Sequence, residues 1–173
     1  GKQSKGVLPV VLEPRSAELH SGLADLLAIH VQSDAKPVAG DAVSVSGPLG
    51  AQFMLWEFAT VVASRLIGIN PFDQPDVESA KIAARGMLEN RAAELPAAFS
   101  DSGVEVRVKG IDVTGITSVA SALEALIAAG ESDSFVSIHA YLDRVAYPSA
   151  AKLRALFASK SGRPTTFGWA PRF

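Results

Sequence analysis

Apolar and polar positions alternate along this chain in two rhythms, one of the strand and one of the helix. Val7–Glu13 is a short, nearly continuous apolar run broken by Pro9, and it predicts a buried strand. Ala17–His30 carries Leu19, Leu23, Leu26 and Leu27 at helical spacing, with Gly22 weakening the pattern. Gln32–Asp41, holding Pro37 and Gly40, predicts a loop, and Ala42–Ser46 a short strand running into Gly47-Pro48. Leu49–Ile67 is apolar on nearly all sides, which predicts a helix buried in the domain or against a partner.

Asp73 predicts the N-cap of a following helix, with Pro75 and Asp76 in its first turn and Pro96 ending it after about Glu94. Val104–Val108 alternates with period two and predicts a strand. Ser118–Ala129 places Val119, Ala122, Leu123, Leu126 and Ile127 on one helical face, and Gly130 marks its end. Phe135–Leu142 predicts a strand, Pro148–Ser159 a helix and Thr165–Gly168 a last strand. The alternation argues for an α/β sandwich with a mainly parallel sheet. There is no internal repeat and no low-complexity segment.

Composition narrows the function classes. The 173 residues are 48% hydrophobic and 20% charged, as in a globular protein. At this length about two thirds of the unfolded surface can be buried, enough for one ordinary domain. Sixteen Lys and Arg against eighteen Asp and Glu leave no basic excess for a nucleic-acid backbone. The absence of cysteine excludes disulfides, cysteine zinc sites and a thiol nucleophile, and it fits a reducing cytoplasm. The longest apolar stretch, Phe53 to Ile69, is interrupted by Glu57 and Arg65, so no membrane span is expected. The chain begins without Met and stops on Phe173, so it is expected to be a fragment of a longer protein.

Candidate chemistry is sparse. No Walker loop, dinucleotide fingerprint or nucleophile elbow is present. Gly1-Lys2…Lys5-Gly6 is a weak phosphate-loop candidate and reads first as a solvated basic terminus. His20, His30 and His139 are too scattered in sequence to form a metal set, and no metal and no cofactor are expected. His139 lies late in its strand, where open α/β sheets place ligands, although sheet packing explains it as well. Lys81 lies roughly 60° from the centre of the Val77, Ala80, Ala84, Met87, Leu88 stripe. It either snorkels to water or points its charge into a cleft. Glu57 reads as a structural ion pair or cap before a catalytic group.

The segment Gly68-Ile69-Asn70-Pro71-Phe72-Asp73-Gln74-Pro75-Asp76-Val77-Glu78-Ser79-Ala80-Lys81 closely resembles a hallmark stretch of the phosphoglucose isomerase family. Gly1-Lys2-Gln3-Ser4-Lys5-Gly6-Val7-Leu8-Pro9 is similar to that family's G-K-x-x-K-G-[LIV]-x-P. Phe167-Gly168-Trp169-Ala170-Pro171-Arg172-Phe173 is similar to the F-G-x-x-P-R-[FY] of its actinobacterial-type and transaldolase-fused members. Leu49-Gly50-Ala51-Gln52-Phe53 and Trp56-Glu57-Phe58-Ala59-Thr60 also resemble that branch.

The resemblance implies a sugar-isomerase (SIS) domain, a flavodoxin-like three-layer sandwich, spanning residues 1–173 as the C-terminal of two such domains. It implies interconversion of glucose 6-phosphate and fructose 6-phosphate through ring opening and a cis-enediol, in glycolysis and gluconeogenesis. Lys81 matches the family lysine that assists ring opening, a role suited to a cation beside developing negative charge. Glu18-Leu19-His20-Ser21 is similar, with an offset of one residue, to the D-L-H-S around the ring-opening histidine, which carries that role to His20. The proton-moving glutamate would precede Gly1, and the phosphate cradle would belong to the other SIS domain. The implied partners are a sugar-phosphate substrate, that missing domain and a second copy in a homodimer, with no nucleic acid and no membrane. The alternative is an SIS domain that binds a sugar phosphate without turning it over.

Overall fold

The structure, a computed structural model, describes residues 5–34, 36–73, 75–89, 95–131 and 133–170. It divides into two compact units, one of Gly1–Pro9 with Leu23–Arg91 and one of Val10–Gly22 with Ala92–Phe173. Both mix helices with short strands. Three two-stranded pieces form among the described residues, two parallel and one antiparallel, rather than one continuous sheet.

In the first unit β1 (Ile29–Gln32) pairs in parallel with β2 (Val43–Ser46), Ile29 opposite Val43 and Gln32 opposite Ser46. The loop between them stands where the sequence predicts one. Helix α1 (Leu49–Ile67) has the predicted bounds. It starts at Pro48, whose fixed φ suits a helix entrance, and closes on Gly68 at φ 71°, a left-handed conformation that glycine adopts without penalty. Helix α2 (Pro75–Glu89) follows. Its expected end near Glu94 lies outside the described residues, and so does Gln74, beside the expected Asp73 cap.

The expected burial of α1 is not found. Phe53 is 63% exposed, Phe58 64% and Leu66 81%, and Ser64 is its one buried residue. With apolar side chains on every side, a single neighbour could cover only part of this helix. Among the described residues no other element packs extensively against it. The apolar stripe of α2 is likewise exposed, Val77 at 45% and Leu88 at 85%.

The second unit opens with a turn at Pro14-Arg15 and a 3₁₀ turn, Ala17–His20. The expected strand at Val7–Glu13 and helix at Ala17–His30 do not form. Pro9 removes a ladder donor from the first, and Gly22 at φ 67° breaks the leucine run of the second. A hairpin pairs β3 (Phe99–Asp101) with β4 (Val104–Val106), turning through Ser102 at φ 49° and Gly103 at φ 83°. Helix α3 (Val119–Ala129) is capped by Ser118, whose side chain accepts from the Ser121 amide.

A βαβ piece completes the unit. β5 (Val136–Ala140) pairs in parallel with β6 (Thr165–Trp169), and between them a 3₁₀ turn, Pro148–Lys152, runs into α4 (Leu153–Ser161). Helix α4 packs on β5 and β6 and on the Ala17–His20 turn. The unit's buried apolar residues among those described are Ala122 and Ala158, beside buried polar Ser16, Glu18 and Thr165. In this unit the inside is therefore built around hydrogen-bonded polar groups as much as around aliphatic side chains.

Candidate functional site

The stretch that carries the family resemblance forms the α1–α2 corner. Gly68 turns the chain out of α1, with the Ile69 amide donating to the Ser64 carbonyl at 2.9 Å. Asn70 then folds its own side chain back, its Oδ1 accepting from the Phe72 amide at 3.0 Å. That contact is an Asx turn, which lets Pro71 take the corner without leaving the Phe72 amide unpaired. A Cβ added at Gly68 would lie 3.8 Å from Lys5 Nζ, so the lysine of the first motif sits beside the glycine that opens the second.

Lys81 lies on α2 with its Nζ 2.8 Å from Glu78 Oε1. Both side chains are more than half exposed, 56% and 63%, so the pair holds the ammonium loosely. The Lys81 ammonium reaches water beside the Glu78 carboxylate. The charge stands at the surface of the first unit, accessible to a ligand.

His20 belongs to the second unit. It is the last residue of the Ala17–His20 turn and is exposed. The turn closes beneath it, with the Ser21 amide and hydroxyl both reaching the Glu18 carbonyl, at 3.2 and 2.7 Å. Lys81 and His20 thus belong to different units, and each is placed by its own local structure. His139 is exposed on β5, its Nε2 2.9 Å from Ser137 Oγ, which in turn accepts from Thr166 Oγ1 at 3.1 Å. Glu57 is exposed and has no ion-pair partner among the described residues, so the expected structural pair is absent there.

Two carboxylates are shifted by their surroundings. The Asp101 carboxyl is held below its usual range by the Val119 amide at the start of α3 and then by the Ser102 hydroxyl. Asp112 is lowered by the hydroxyl and then the amide of Thr114. Asp112 caps its own turn, whereas Asp101 reaches the start of α3 from the hairpin. Among the described residues no group of three His, Asp or Glu side chains is disposed to hold a metal ion. No helix among them is long and apolar enough to cross a membrane.

Sequence reasoning passes over the most deeply buried polar cluster. Arg154 of α4 pairs with Glu18 at 2.6 Å, with the glutamate side chain 2% exposed and the arginine 15%. Arg154 also donates to the Thr165 carbonyl at 3.2 Å and to Ser16 Oγ at 3.1 Å. The partners stand far apart in sequence, so no local spacing announces the pair. No family model, no curated protein and no solved structure matches the chain.

Proposed function

We propose that this chain is the C-terminal SIS domain of a glucose-6-phosphate isomerase, working in the cytoplasm with a second SIS domain and as a homodimer. The observation that carries the reading is the run from Gly68 to Lys81, in which N-P-F-D-Q-P is followed by a lysine at the family's spacing. The nearness of Lys5 to Gly68 supports it, with Lys5 Nζ 3.8 Å from where a Cβ on that glycine would lie. So does the mixed α/β character of both units, the coarse class to which a three-layer sandwich belongs.

The chemistry assigned to the chain's own residues is limited. Lys81, a cation on an exposed helix face, stands beside the ring oxygen of the sugar phosphate and stabilises negative charge as the C1–O bond of the ring opens. The resemblance gives His20 a proton exchange with a sugar hydroxyl during ring opening. The shift of a proton between C2 and C1 through the cis-enediol falls to a glutamate outside the chain.

The test is glucose-6-phosphate isomerase turnover in the protein made from the complete reading frame, comparing wild type with Lys81→Ala. A loss of at least about a hundredfold is expected for a positioned acid–base or charge-stabilising group. Binding of fructose 6-phosphate without turnover by the wild type would instead identify a sugar-phosphate sensor. Turnover by the isolated chain at the rate of the whole protein would remove the argument for a missing half.

A further inference from the structure

The Glu18–Arg154 pair is a poor device for stability alone. Glu18 is 97% buried as a residue, yet its Oε2 has no hydrogen-bond partner among the described residues. A carboxylate satisfied on one oxygen only carries a desolvation cost, and an apolar pair of the same volume commonly serves folding as well or better. What a buried, directional pair supplies instead is one arrangement in place of several.

The segment that it fixes is the one bearing His20. Ser16 Oγ accepts from Arg154 and from the Glu13 amide at 3.0 Å while donating to the Glu13 carbonyl at 2.8 Å. Between Glu13 and Ser16 the chain turns through Arg15 at φ 75°, a left-handed conformation that a non-glycine residue keeps only where its surroundings over-determine it. Arg154 thus clamps the 3₁₀ turn at two points, Ser16 and Glu18, and anchors both to the Thr165 carbonyl, whose residue is fully buried at the start of β6. His20 stands two residues beyond Glu18 and is the exposed group at the end of the clamped turn.

We propose that Glu18 and Arg154 are positioning residues that hold His20 at a fixed place on the second unit. The use made of His20 in ring opening rests on the isomerase reading. The clamp itself does not.

Three histidines make the test direct. The ring Cε1–H resonances of His20, His30 and His139 are followed by nuclear magnetic resonance in the wild-type chain, without substrate, and in two variants, Glu18→Gln and Arg154→Lys. His139, on β5 of the same unit, reports whether that unit is folded. Broadening or displacement of the His20 resonance with His139 unmoved is the expected result in Glu18→Gln, with a smaller change in Arg154→Lys, which keeps the charge but loses the fork. A His20 resonance identical to wild type in both variants overturns the proposal. Simultaneous loss of the His20 and His139 resonances in both overturns it as well, since the pair would then be a general support of the unit. Because no turnover is measured, failure of the isomerase reading leaves this outcome intact, and the reverse also holds.

Discussion

Arg163 lies across the end of α3 with its Nη2 2.5 Å from the Gly130 carbonyl. The same guanidinium donates from Nη1 to the Ile127 carbonyl at 2.6 Å and from Nε to the Glu131 carbonyl at 3.1 Å. The last carbonyls of a helix lack internal partners and carry its negative dipole end, so one cation satisfies both needs. Gly130 has φ −74°, which any residue tolerates, so its backbone does not require glycine. The requirement is room: a Cβ there would lie 2.8 Å from Arg163 Nη1 and 3.0 Å from Ser134 Oγ.

Gly130→Ala is therefore expected to push Arg163 off these carbonyls and destabilise the chain by about 1–2 kcal/mol, the scale for partly exposed hydrogen bonds to a charged group. For a chain of this size that lowers the melting temperature by roughly 2–8 °C. Arg163→Ala should cost about as much, and the double variant little more than either alone. Thermal melts of the three variants decide it, and fully additive losses would show that the two residues act independently.

Asp101 joins the β3–β4 hairpin to α3, its Oδ2 accepting from the Val119 amide at 2.9 Å. Its carboxyl is lowered from 3.8 in the folded chain, so the charged form is favoured by folding. That contribution is fully present above the unfolded value and is lost as the pH falls through the folded one. Compared with Asp101→Asn, the wild type should hold a constant advantage in urea midpoint near neutral pH, shrinking once the pH drops below 3.8. An advantage unchanged at still lower pH would assign it to hydrogen-bond geometry and not to charge.

Lys81 should be dispensable for folding. An exposed pair three residues apart on a helix is worth a few tenths of a kcal/mol. Lys81→Ala and Glu78→Ala are each expected to change stability by less than about 0.5 kcal/mol, measured by denaturant unfolding. A large loss of isomerase turnover in Lys81→Ala beside such a small change would then speak of chemistry. A large loss of stability in either variant would place the pair in a structural role that its exposure gives no sign of.

The parts of the fold legible in the sequence are those whose signals are local. Helix α1 runs over the predicted Leu49–Ile67, and α3 lies between Ser118 and Gly130, because apolar spacing and terminal residues act within a few turns. β5 emerges inside its predicted run, three residues shorter, and β6 starts where predicted and runs one residue longer. Val7–Glu13 misled because an apolar run specifies a strand only if a partner strand meets it, and here none of the described strands does. β3 went unforeseen for the converse reason, since Phe99–Asp101 has little pattern of its own and exists by pairing with β4. Lys81 was legible as a residue on a helix. The clamp around His20 was not, because Glu18 and Arg154 are 136 residues apart and only the packing of α4 on the turn joins them.

That separation makes the pair open to a test on stability, distinct from the resonance of His20. Arg154→Ala leaves the Glu18 carboxylate buried without its counter-ion and removes the donors to Ser16 and Thr165 as well. The expected cost is about 3–5 kcal/mol, a large share of the stability of an ordinary domain. Replacing both residues by apolar ones, Glu18→Leu with Arg154→Met, removes the uncompensated charge and should recover most of that loss. Equilibrium unfolding in urea, followed for unit two by its β5–β6 region, compares the wild type with the two variants. If the double variant is as unstable as Arg154→Ala, the energy lies in the bonds to Ser16 and Thr165 and the carboxylate is incidental. Recovery would instead show that the two charges offset one another inside the unit, leaving their net effect in the arrangement of the turn.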